Sequence, residues 1–179
     1  MKGGRWLARG ATAVAAVVAL AGCGLTNLDE LNFRVDDRLH FVGPKARSTV
    51  KSPVTVTWTM DGDFRIAAKG SEPPSRGAGH FAIFVDQTPI KPGHTMEDVA
   101  KGDSLCEGAP NCPNEAYLTN HHVYTTTKKS FQIPSIPNRP GSKEELQPHT
   151  ITIVLMDTSG RRIGESAWEL DVRIKKVGF

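Results

Sequence analysis

The chain has 179 residues, 39% of them hydrophobic and 23% charged, with a formal net charge of +3. That excess lies in residues 1–22, which hold three of the 22 Lys and Arg and none of the 19 Asp and Glu, so the remaining 157 residues are neutral. A neutral body of this length is enough for one domain with a proper core, and it lacks the basic footprint that nucleic-acid binding needs.

At the N-terminus, Lys2, Arg5 and Arg9 precede an apolar run from Ala11 to Ala21 that ends in small residues. This is the layout of a secretory signal, and the run is shorter than the roughly 20 apolar residues a membrane span requires. It closes on Leu20-Ala21-Gly22-Cys23, which resembles a bacterial lipobox at all four positions. The resemblance implies that residues 1–22 are removed and that Cys23 is acylated. The protein is then exported and lipid-anchored to the cell membrane, facing the periplasm or the exterior. Each buried methylene of an acyl chain contributes about 0.8 kcal/mol, so two or more chains anchor stably. Residues 23–30 are a short tether, with seven residues between Cys23 and the strand-like Leu31; at full extension they reach at most about 25–30 Å. Ordinary cleavage, with Cys23 incidental, is the competing reading.

From residue 31 the chain reads as a domain of short strands. Leu31, Phe33 and Val35 alternate with polar neighbours, as do Leu39 and Phe41 after the Asp36-Asp37 turn. Val54, Val56 and Trp58 share one face and Thr55, Thr57 and Thr59 the other, the period-2 pattern of a half-buried strand. Phe64-Arg65-Ile66, beyond the Asp61-Gly62 turn, is expected to be its partner. His80 to Val85 is apolar on both faces, as in a central strand covered on both sides. Val123–Thr126, Ser130–Ile133, His149–Met156 and the run with Trp168, Leu170, Val172 and Ile174 on one face complete the strands. Seven to nine short strands between turn signals predict a mostly β fold, an antiparallel β-sandwich carrying a loop or short-helix insertion.

The insertion spans about 87–122. Thr95 and Asp98 are placed to cap a short helix over Met96 to Lys101, and Gly102, Gly108, Pro110 and Pro113 keep the rest irregular. With Cys23 lipidated, Cys106 and Cys112 remain outside the cytosol, where thiols tend to pair. Their disulfide would staple the insertion, contributing roughly 2–2.5 kcal/mol on the chain-entropy model. A metal site with His121 or His122 is the alternative, but the spacing fits no C-x₂₋₄-C zinc pattern.

Gly77-Ala78-Gly79-His80 running into Phe81–Asp86, and Pro148-His149-Thr150 running into Ile151–Asp157, are similar to segments of an immunoglobulin-like domain of uncharacterised bacterial lipoproteins, over roughly residues 50–175. The resemblance implies an Ig-like sandwich and an exported compartment, and no activity. The Cys-Trp-Cys pattern of antibody domains is missing, so the likeness is architectural. In related exported β domains the strand after the Gly-x-Gly turn can be rich in His; here His80 is followed by Phe81 and Ala82.

Candidate chemistry is sparse. His80 and His149 each open a strongly apolar strand and could meet at one end of the sandwich if those strands ran parallel; with His94 they would offer imidazoles to copper or zinc. His121 and His122 are adjacent, so a regular strand would point them to opposite faces. Ser48-Thr49-Val50-Lys51 spells S-x-x-K without its companion motifs, and Gly164-Glu165-Ser166-Ala167-Trp168 lacks the closing Gly of a nucleophile elbow. Asp86, Glu97, Asp98 and Asp103 read as a solvated acidic edge, with no calcium-loop pattern. The sequence therefore points to a non-enzymatic, membrane-anchored binding or scaffold lipoprotein. It would present its stapled loop to an envelope protein partner through Met96, Tyr117, His121, His122 and Tyr124. Metal handling is the alternative.

Overall fold

The computed structural model describes residues 36–175. The signal-like segment, Cys23, the tether and the alternation at Leu31–Val35 lie outside the described residues. The described chain is mostly β, with strands β1 (Leu39–Gly43), β2 (Thr49–Val50), β3 (Val54–Met60), β4 (Arg65–Ile66), β5 (Ala78–Val85), β6 (Val123–Thr126), β7 (Ser130–Ile133), β8 (Leu146–Asp157) and β9 (Arg162–Lys175). A 3₁₀ helix at Met96–Ala100 and a short helix α1 at Glu115–Asn120 interrupt them.

The strands form two predominantly antiparallel sheets. The smaller runs β1-β3-β7, and the larger runs β2-β9-β8-β5, with β4 and β6 also paired to β5. Parity along each strand decides which side is buried. Val54, Val56, Trp58 and Met60 turn inward from β3; Trp168, Leu170, Val172 and Ile174 turn inward from β9, leaving Glu169, Asp171, Arg173 and Lys175 in water. These rows join Phe81, Ile83 and Val85 of β5 and Ile151, Ile153 and Leu155 of β8 in one core shared by both sheets. Each fully buried side chain of this kind contributes about 1.5–3 kcal/mol.

β5 is buried along its whole length because it serves two cores. Its alternate residues Ala82 and Phe84 join Val123, Val154 and Met156 on the outer face of the larger sheet, where Ile90 and Met96 of the insertion cover them. The insertion is thus a second layer packed on the sheet.

One pairing differs from expectation. β4 pairs in parallel with β5, Arg65 opposite Ala78 and Ile66 opposite Gly79, and not with β3. Both edges of β3 are already taken, by β1 and β7, so the turn at Asp61-Gly62 carries the chain across to the other sheet. Arg65 N and Ala67 N donate to the carbonyls of Gly77 and Gly79 at 2.9 and 2.6 Å.

The first described residue is held firmly. Trp168 Nε1 donates to the Asp36 carbonyl at 2.6 Å and Ser166 Oγ to its carboxylate at 2.9 Å. The Arg38 guanidinium beside it holds the Asp36 carboxyl down at about 2.

Candidate functional site

The insertion is fixed to the sheet by a buried arginine. Arg162, at the start of β9, donates through Nη1 to the Ile90 carbonyl at 2.5 Å and through Nη2 to the carbonyls of Glu165 and Ser166 at 2.8 and 3.1 Å. Its own backbone takes part as well: Arg162 N donates to His94 O at 2.8 Å, and Gly93 N donates to Arg162 O at 3.0 Å. Burial pushes the guanidinium below its ordinary value, and the three carbonyls compensate part of that desolvation.

Between this layer and the end of β5 and β6 lies a cleft of about 560 Å³. Met96 and Leu118 supply its apolar lining, Lys69, Lys128 and Glu97 its charges, and His80 its buried polar group. His80 is 5% exposed and its Nδ1 has no hydrogen-bond partner. Burial lowers its pKa first, the Lys69 ammonium adds to that, and Asp157 opposes both. The ring is therefore neutral at physiological pH. The sign gives a prediction: the unfolded chain takes up a proton more readily than the native one, so His80 favours the native state fully above about pH 6.5. That contribution is lost as pH falls below this value. Urea midpoints between pH 7.5 and 5.5 are expected to fall less in His80→Phe than in the parent; equal falls would contradict the assignment.

His149 sits elsewhere. β5 and β8 are antiparallel, with His80 opposite Met156, and His149 lies seven residues further along β8, roughly 23 Å away at strand rise. It also neighbours the shared core, while His80 lies on the side of Ala82 and Phe84. The expected meeting of His80 and His149 is therefore corrected: it required parallel strands. His149 is 1% exposed, and its Nδ1 pairs with Asp86 Oδ2 at 2.6 Å. The other oxygen of Asp86 accepts from Thr150 N at 3.0 Å and Arg139 Nη2 at 3.3 Å. Asp86 thus ties a strand end together and is no part of a loose acidic edge. His94 hydrogen-bonds Asp98 and lines a separate cleft with Phe84 and Val123. Among the described residues no three His, Cys, Asp or Glu side chains converge as a metal-holding group.

The insertion itself carries the expected disulfide, Cys106 to Cys112, with Cα atoms 5.3 Å apart. Thr95 precedes the 3₁₀ helix without a side-chain cap bond; its backbone carbonyl accepts from Asp98 N instead. Asn114 caps α1, accepting from Tyr117 N at 2.8 Å. This N-cap, just after Pro113, was the legible signal for a helix that the glycines and prolines around it obscured.

The residues assigned to the binding loop separate into two groups. Met96 and Tyr124, both buried, are corrected: Met96 belongs to the second core and Tyr124 to the first, where its ring lies 5.0 Å from Phe131. Tyr117 and His121 remain at the surface, stacked at 4.2 Å. The Tyr117 hydroxyl donates to Asp103 at 2.6 Å, which pushes the phenol up to about 12, and His121 Nε2 lies 3.9 Å from the same carboxylate. His122 turns away with φ +57, its carbonyl accepting from Val85 N. It links α1 to β6. The residue that sequence reasoning passed over is Leu105, 78% exposed beside the disulfide; a lone Leu in a polar loop carries no periodic signal.

Compared with models of known families, with curated proteins and with solved structures, the chain matches none.

Proposed function

We propose that this chain is an exported lipoprotein, acylated at Cys23, whose immunoglobulin-like β-sandwich carries the insertion 87–122 as the recognition surface for an envelope protein. The observation that supports this most is the contrast within the insertion. Its inner side is consumed by Ile90, Met96 and the Arg162 bonds, while Leu105 projects beside the closed Cys106–Cys112 loop. An apolar side chain held out of a loop that is itself ordered suits recognition, because little freedom is left to lose on binding. Tyr117, which offers a ring with a polar tip, and His121 lie in the same insertion.

A photo-crosslinking residue at position 105, introduced in cells producing the full chain, tests this. The expected result is a discrete adduct to one envelope protein, lost when Cys106 and Cys112 are both replaced by Ala. The same probe at Thr59, exposed on β3, is expected to give no such adduct. No adduct from position 105, or the same pattern from both positions, would sink the reading.

A further inference from the structure

We propose that the cleft between the insertion and the end of β5 is a binding site for a small organic monoanion with an apolar body, such as an aryl carboxylate. This site is separate from the Leu105 surface and does not depend on it.

Its volume of about 560 Å³ falls within the roughly 300–1,000 Å³ of small-molecule sites. Charge sets the class of ligand. Among the described residues neither Lys69 nor Lys128 has a carboxylate within ion-pair distance. Glu97 is the one acidic group of the lining, so the cleft carries one net positive charge. Lys69 stands where its field reaches both His80 and Glu97. Its aliphatic stem lies across Gly160, whose missing side chain leaves room for it: a Cβ there would fall 3.1 Å from Lys69 Cε. A cation would meet two ammonium groups, and a dianion would meet Glu97.

His80 supplies the independent observation. It lines the cleft, is nine-tenths buried, and keeps Nδ1 without a partner. An unsatisfied buried polar atom is costly to the fold; Nδ1 is closed to solvent, so the ring turns toward the cleft when a ligand oxygen or hydroxyl bonds it and offsets that cost. A neutral imidazole offers one donor and one acceptor, so it can bond a carboxylate without altering the charge count. Met96 and Leu118 take the apolar body.

Saturation-transfer NMR with 3-phenylpropionate tests the site, using the full lipidated chain in nanodiscs and empty nanodiscs as the blank. The expected result is saturable binding, competed by benzoate and not matched by 3-phenylpropylamine. Affinity should weaken at least tenfold in Lys69→Gln/Lys128→Gln, a pair of exposed positions whose replacement leaves both cores intact, and the signal should also fall in His80→Phe. No saturable signal above the blank, equal binding of the amine, or unchanged affinity in the double lysine variant would overturn the proposal.

Discussion

Gly79→Ala is expected to cost the domain at least about 3 kcal/mol, a large share of the roughly 5–15 kcal/mol that holds an ordinary domain folded. A Cβ at this position would lie 1.8 Å from the Met156 carbonyl oxygen and 2.9 Å from the Asp157 Cα, all backbone that cannot turn aside. Gly79 pairs with Asp157 of β8 on one side and Ile66 of β4 on the other, so relief on either side breaks a sheet ladder. The adjacent His80 would move with it and the cleft would open. Gly77→Ala provides the control: it lies two residues earlier in the same motif, and no heavy atom approaches the place of its Cβ. That variant is expected to stay within about 0.5 kcal/mol of the parent. Urea denaturation of both variants checks the contrast, and equal stabilities would contradict it.

Arg162→Met is expected to loosen the insertion while leaving the two sheets standing. The substitution keeps an apolar stem of similar reach but strips the guanidinium from the carbonyls of Ile90, Glu165 and Ser166. Leaving buried acceptors unsatisfied costs about 1–3 kcal/mol each; removing the desolvated charge returns part of it. The net loss is about 2–4 kcal/mol, concentrated where the bonds were. Hydrogen exchange should accelerate over 87–100 and remain slow in β5, β8 and β9. Uniform acceleration, or none, would show that the arginine does not anchor this layer.

The parts of the fold that could be read in advance were those where period 2 reports burial directly. Val54-Val56-Trp58 and Trp168-Leu170-Val172-Ile174 kept their predicted faces, and the unbroken apolar run of β5 correctly implied cover on both sides. Parity says which face is dry and nothing about which strand lies alongside. That is why Phe64-Arg65-Ile66 was given the wrong partner, and why His80 and His149 were brought together by a parallel pairing that β5 and β8 do not make. The cleft was half legible: His80 was singled out, but Lys69 and Lys128 come from loops far apart in sequence and join it only through the fold. Met96 reads as a partner-binding residue of the insertion because the surface that buries it, Ala82, Phe84 and Met156, belongs to strands that already have a core on their other face. Nothing local in the sequence marks Arg162, an arginine whose acceptors include Ile90, 72 residues away.

The proposed function starts from acylation at Cys23, so its most direct test is the intact mass and N-terminal peptide of the protein extracted from membranes. The account predicts a chain beginning at Cys23 and heavier than its sequence by two or three acyl chains with their glycerol. An unmodified chain that begins upstream of Cys23, or at an unacylated Cys23, would contradict it.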